Sequence, residues 1–289
     1  MEKFPQSPDL ERSPIESKAN FEGNDGMLLI ERFNDPVIKT QIIDLLHKNE
    51  LAEEEKIRNR TYTPYSSPDM PNSTCFKDEE GVIYISDDPN YNPKSYVART
   101  RAEIEQEFNE TLEKISTQTD IDFSADEPNE SCIPLNWKMP WNEEKPTAKQ
   151  MGIIVAHEKG HAIRRYQDLK DYFIKGFDPT KIEYTEKDFE MDIALNKKEG
   201  EDENLDMEKM KLKSMEYLFS GPEIAERMSQ LKNYFGITGS ESFTKEHLHY
   251  AREHYITDTG MDNRMRHFFQ AITPETEDDF IELINTSGI

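Results

Sequence analysis

The chain has 289 residues, of which 33% are charged and 35% are hydrophobic, and its formal net charge is -24. This charge argues against nucleic acid as a ligand, because binding to phosphate backbones needs clustered lysine and arginine. The sequence has only two cysteines and its first residues form no apolar segment, so we expect a cytoplasmic protein with no disulfide framework and no membrane partner. The length is sufficient for one large domain or two small ones, and the low apolar share predicts a core with solvated excursions.

The beginning of the chain predicts an arm followed by a helix. Residues 1–26 carry prolines among Ser, Glu and Asn, which predicts a disordered or loosely docked arm without catalytic residues. The folded domain is therefore expected to span residues 27–289. Asp35 as an N-cap, with Pro36 in the first helical position, predicts a helix that ends near Glu53.

The next segment predicts a loop, a strand and a second helix. Residues 61–75 combine prolines with Ser, Asn and Asp and predict a loop. Residues 82–85 are β-branched and aromatic and are the best strand candidate. Four apolar residues at helical spacing predict a helix with one buried stripe: Ile104, Phe108, Leu112 and Ile115.

The second half predicts helices on either side of a charged insertion. Thr147 with Gln150 three residues later is a capping-box pattern, so a helix should begin near residue 148 and continue past residue 161. Residues 176–213 are dominated by charge and predict an insertion with a mobile acidic loop.

Three more helices are predicted towards the end of the chain. They should open near Pro222, cover residues 245–255, and follow a cap at Thr273. The chain as a whole therefore predicts a mostly helical α+β fold.

The helix that begins near residue 148 contains the motif His157-Glu158-x-x-His161. Two imidazoles four residues apart lie on one helical face and can reach one Zn²⁺. Glu158 points about 100° away around the helix, so it is predicted to act as the general base for a metal-bound water. Gly160 costs about 1 kcal/mol relative to Ala in a helix interior, which indicates a close approach at that turn.

This motif resembles that of the zincin metallopeptidases, and specifically their gluzincin branch, in which a glutamate on a later helix completes the zinc site. The branch with a third histidine six residues on is disfavoured, because that position is Gln167. The resemblance implies a zincin-like fold with a small sheet packed on the HExxH helix. It also implies Zn²⁺ as cofactor and a protein or peptide substrate, which would pair with the strand at residues 82–85.

The third metal ligand is predicted to be Glu223, in the first turn of an amphipathic helix. Helical projection places Glu223 beside the apolar stripe and Glu226 nearly opposite, which favours Glu223. Glu226 and a C-terminal histidine are the alternative third ligands. The family often has an acidic residue four positions after this glutamate, whereas this chain has Arg227. His254, or its neighbour Tyr255, is the candidate for stabilising the oxyanion of the reaction.

Three functions fit these features. The motif and its resemblance predict zinc-dependent hydrolysis of a peptide bond by a metal-bound water that Glu158 activates. The net charge of -24 also fits a non-catalytic acidic protein that masks a basic partner surface or mimics nucleic acid. A structural zinc would instead tie the motif helix to a later helix, with a protein ligand closing the fourth position.

Overall fold

The computed structural model describes residues 25–66, 72–117, 145–164, 169–196, 206–239, 241–262 and 264–289. Almost all of the predicted arm at residues 1–26 lies outside these ranges. Within the described ranges, no helix has both the length and the apolar character that crossing a membrane requires.

The described chain is mostly helical and has one small sheet, which confirms the α+β class. The helices are α1 (Asp25–Asn34), α2 (Pro36–Asn59), α3 (Arg101–Thr117), α4 (Ala148–Arg164), α5 (Lys170–Ile174), α6 (Glu186–Asn196), α7 (Met207–Leu218), α8 (Gly221–Tyr234), α9 (Lys245–Thr259), α10 (Met265–Ala271) and α11 (Glu277–Thr286). Short 3-10 turns lie at Pro93–Ser95 and Pro179–Lys181.

The sheet is an antiparallel meander of three strands in the order β1-β2-β3, namely β1 (Tyr62–Tyr65), β2 (Thr74–Asp78) and β3 (Ile83–Ser86). The prediction of a loop over residues 61–75 was therefore wrong at both ends. Pro64 fits in β1 because this is an edge strand, where a residue without an N–H need not break a ladder hydrogen bond.

Most of the predicted helix N-termini are confirmed. Asp35 caps α2 as predicted, since its Oδ1 accepts hydrogen bonds from the N–H groups of Val37 and Ile38 at 2.9 and 3.1 Å. However, α2 continues well past Glu53, and the last helix starts after Thr276 rather than at Thr273. Helix α1 was not predicted. It begins within the last two residues of the expected arm and ends directly before the Asp35 cap.

The segment predicted as a charged insertion, residues 176–213, contains helix α6 and the first half of α7. Phe177, Ile182 and Met210 in this segment are buried, so the described part contributes to the core. Residues 197–205, where the mobile acidic loop was placed, lie outside the described residues. Whether the segment is an insertion stays a prediction.

The described residues form two compact units, divided at Ile42 and again at Asn109. The domain predicted at residues 27–289 is thus shared between them. The second unit, Ile43–Asn109, contains the sheet, whereas the motif helix α4 belongs to the first. The packing of the sheet on the motif helix stays a prediction.

Helix α8 lies at the centre of the first unit, and the motif helix α4 packs against α8 and α1. From Glu223 to Tyr234, every residue of α8 is buried. The helix therefore has no solvent-exposed side, and its polar residues must find partners inside the protein.

Candidate metal centre

Helix α4 presents the motif histidines towards α8. The helix begins at Ala148 as predicted, because Thr147 and Gln150 form the expected capping box: the amide of Thr147 donates to Oε1 of Gln150 at 2.8 Å. The amide of Gln150 donates in turn to the hydroxyl of Thr147 at 3.3 Å. Two turns further on, His157 is 6% exposed and the side chain of His161 is 24% exposed.

His157, His161 and Glu223 converge on one point between α4 and α8. Their ligand atoms all lie within 4.8 Å of one another. The two histidine Nε2 atoms are 3.0 Å apart, and the Glu223 carboxylate oxygens lie 3.7 Å from Nε2 of His157 and 3.3 Å from Nε2 of His161. This buried group can hold a metal ion.

The donor set and its spacing fit zinc. Ligands about 2.0–2.1 Å from a tetrahedral Zn²⁺ are separated from each other by about 3.3–3.4 Å. The histidine nitrogens are 3.0 Å apart, Oε1 of Glu223 lies 3.3 Å from His161 and Oε2 lies 3.7 Å from His157, so each of these separations is close to that value. The Nδ1 atom of His157 has no hydrogen-bond partner among the described residues, and the Nε2 atoms of both histidines face the shared point.

Glu223 is held in its ionised form by its neighbours. Burial alone would raise its pKa, but hydrogen bonds from His157 and His161 and the charge of Arg227 outweigh burial and hold the pKa below its usual value. Nη2 of Arg227 donates to Oε2 of Glu223 at 3.1 Å. The arginine that departs from the family pattern is therefore a direct partner of the predicted ligand.

Glu158 lies next to this group without joining it. Burial raises the pKa of its carboxyl group, and the charges of His157 and His161 offset this only in part. A carboxylate with a raised pKa is a stronger base, which is the property that proton abstraction near neutral pH requires.

Gly160 marks the closest approach between α4 and α8. A Cβ atom placed on this residue would lie 1.7 Å from Oε2 of Glu226. Glu226 is fully buried, and both of its oxygens accept hydrogen bonds from Nη1 of Arg164, at 2.6 and 2.7 Å. The expected close approach at Gly160 is confirmed, and Glu226 is paired with Arg164 rather than placed among the metal ligands.

Tyr217, near the end of α7, is a residue of the site that sequence reasoning missed. The residue as a whole is 51% exposed, but its phenol lies in a buried environment, and this burial, the charge of Glu223 and a hydrogen bond to Glu223 raise its pKa. The guanidinium carbon of Arg264 lies 5.4 Å from the ring centroid. No local sequence signal identified it, because its partner Glu223 lies on the following helix.

His254 does not join the metal group. Its ring stacks on Tyr250 of the same helix at 4.2 Å, and its Nδ1 lies 3.2 Å from the carbonyl oxygen of Tyr250. Tyr255 is 1% exposed and packs against Tyr234 in an aromatic cluster. Neither set of contacts supports the predicted role in stabilising an oxyanion.

The other histidines of α9 have partners outside the metal group. Nδ1 of His247 accepts a hydrogen bond from the amide of Thr244 in a capping box, and His249 pairs with Glu277. The alternative of a C-terminal histidine as third ligand therefore receives no support, because Glu223 occupies that place.

Comparison of the chain with protein-family models, curated proteins and solved structures gave no match. The likeness to gluzincins consequently rests on the motif residues and the arrangement of the metal group.

Proposed function

We propose that this protein is a zinc-dependent peptidase whose site is built from His157, His161 and Glu223. The observation that supports this most directly is the convergence of their ligand atoms within 4.8 Å, at a point flanked by Glu158. Two histidines and a glutamate are a donor set found in catalytic zinc sites.

The number of ligands favours a catalytic over a structural zinc. Structural zinc sites are closed by four protein ligands, whereas catalytic sites have three and keep one position open. In the described part of the chain, the candidate group comprises three residues. The partial exposure of His161 places this group at the edge of the core.

The residues around the metal position have separate roles in the proposed reaction. Zinc, when bound, would polarise the carbonyl of the scissile peptide bond and make water easier to deprotonate. Glu158 accepts the proton at its carboxylate and returns it to the leaving nitrogen. Tyr217, whose phenol reaches Glu223, is the candidate hydrogen-bond donor to the negative charge that develops on the carbonyl oxygen.

The first test is metal content. Elemental analysis of the purified chain should find about one zinc per molecule, because the three side chains form one site. A His157→Ala variant, prepared in parallel, should lose it. Glu158→Gln is the matched variant for chemistry, because Gln keeps the size of the side chain but cannot act as a base.

Cleavage is then measured with a library of peptides against wild type and Glu158→Gln. The proposal requires that Glu158→Gln keeps zinc and loses cleavage. Equal cleavage by both would exclude Glu158 as the base. If the wild type contains no zinc and binds none when zinc is added, the acidic interaction protein becomes the leading hypothesis. The cytoplasmic location and the partner need experiments of their own.

A further inference from the structure

Helix α8 is buried on all sides but carries charged and polar residues along its whole length. Each carboxylate on its inner turns has its own arginine: Glu223 pairs with Arg227, and Glu226 pairs with Arg164. The side chains of Arg164 and Glu226 are both 1% exposed, so solvent does little to weaken their interaction.

On each of the two helices, the ion-pair residue comes three residues after a candidate metal ligand. Arg164 follows His161 by three residues on α4, and Glu226 follows Glu223 by three residues on α8. Residues three apart lie on the same helical face, about 4.5 Å apart along the axis. The ion pair and the metal group are therefore two successive contacts between the same two helical faces.

The ion pair is itself held from the side of α1. The guanidinium carbon of Arg164 lies 4.7 Å from the ring centroid of Phe33. Ser229, on the next turn of α8, accepts a hydrogen bond at its hydroxyl from Nη2 of Arg32 at 2.8 Å. Arg164 thus lies between α1 and α8 with contacts on both sides.

The room for Glu226 exists because residue 160 has no side chain. A Cβ on Gly160 would lie within 2.6 Å of three carboxyl atoms of Glu226. Gly160, Glu226 and Arg164 therefore depend on one another. The carboxylate of Glu226 fills the space beside the glycine, and Arg164 binds this carboxylate.

We propose that Arg164 and Glu226 are positioning residues for the metal centre. Two contacts on successive turns fix both the rotation and the axial position of α8 on α4, whereas the metal group alone would fix one point. The ion pair thereby brings Glu223 within reach of the two histidines before a metal binds. This inference rests on the proposed function only in that the site is taken to bind zinc.

The test compares zinc affinities, so it needs no substrate. Glu226→Gln keeps the shape of the side chain and removes its charge, and Arg164→Met removes the partner. Asp188→Asn is the matched control, because Asp188 is 3% exposed in the same unit and pairs with Arg266, which is not a member of the metal group. Zinc dissociation constants are measured by competition with a chromophoric chelator, and urea unfolding of each metal-free variant measures its stability.

Loss of a residue that orients metal ligands typically weakens metal binding about 10–100-fold. We expect an effect of that size for Glu226→Gln and Arg164→Met, measured where the metal-free variants are folded, and a change below about twofold for Asp188→Asn. The visible spectrum of the Co²⁺-loaded chain should also change in the first two variants only, because it reports ligand geometry.

Three results would overturn the inference. If Glu226→Gln and Arg164→Met lose stability but bind zinc as tightly as Asp188→Asn, the ion pair is only structural, and the proposed function is untouched. If Arg164→Met does not fold, an unchanged affinity of Glu226→Gln alone has the same meaning. If the wild type binds no zinc, the proposed function fails together with this inference.

Discussion

Replacing Gly160 by alanine probes the contact between α4 and α8, the two helices that carry the candidate metal ligands. The added Cβ would lie 1.7 Å from Oε2 and 2.2 Å from Cδ of Glu226. Non-bonded carbon atoms normally stay about 3.5–4.0 Å apart, so the carboxylate must withdraw by roughly 2 Å. It has no solvent to withdraw into, because Glu226 is fully buried.

The cost follows from the hydrogen bonds that this movement breaks. The carboxylate accepts two bonds from Arg164, at 2.6 and 2.7 Å, and disrupting a buried ion pair typically costs about 3–5 kcal/mol. Alanine in place of glycine inside a helix stabilises the folded state by about 1 kcal/mol. We therefore expect Gly160→Ala to lower the free energy of unfolding by about 2–4 kcal/mol.

Urea unfolding of the metal-free chain, followed by far-ultraviolet circular dichroism, measures this difference. Gly152→Ala is the matched control, because Gly152 is a half-buried glycine in the same helix. It should be as stable as the wild type or gain up to about 1 kcal/mol. A Gly160→Ala variant that matches the wild type in stability would refute the close approach of Glu226.

Four other variants test separate parts of the structure. Tyr217→Phe should lower kcat about 10²–10³-fold with unchanged zinc content if its phenol stabilises the oxyanion, whereas an unchanged kcat would remove it from the reaction. Arg227→Met should weaken zinc binding about tenfold in the chelator competition, because Glu223 loses the donor that orients it, and an unchanged affinity would count against that role. Asp35→Ala should cost about 1 kcal/mol in urea unfolding through loss of the α2 cap, and a neutral effect would contradict the capping bonds. The pKa of Asp188 lies below its ordinary value, because hydrogen bonds from Thr185 and the charges of His267 and Arg266 outweigh burial. Its contribution is complete above the unfolded pKa of about 3.9 and is lost as the pH falls through the folded pKa, so Asp188→Asn should lose less stability than the wild type between about pH 4 and pH 2.

The histidine part of the candidate metal group could be predicted from the sequence because its signals are local. The spacing of His157 and His161 determines their common face on any helix, and Gly160 has a measurable cost in a helix interior. The capping residues of α2 and α4 were equally local, and both helices begin where these residues indicate. The choice of Glu223 needed a family pattern as well, because nothing near it in sequence identifies a ligand.

The role of Glu226 could not be inferred from the same reasoning. The helical projection assumes that α8 is amphipathic, and it places Glu226 nearly opposite the apolar stripe. In the structure α8 is buried on every side, and Glu226 faces Gly160 of α4. Whether a helix is central or peripheral depends on the packing of the whole unit, which local periodicity does not reveal.

Arg227 shows how a departure from a family pattern can be compensated within the same site. A buried carboxylate without a partner would tend to take up a proton, and a protonated ligand binds metal poorly. Arg227 supplies a positive charge and a hydrogen bond to Glu223, which help to hold the pKa of this carboxyl group below its usual value. The oxygen that Arg227 binds is Oε2, whereas Oε1 lies 3.3 Å from Nε2 of His161. Oε2 also lies 3.7 Å from Nε2 of His157, so Arg227 holds one carboxylate oxygen while both oxygens stay close to the two histidines.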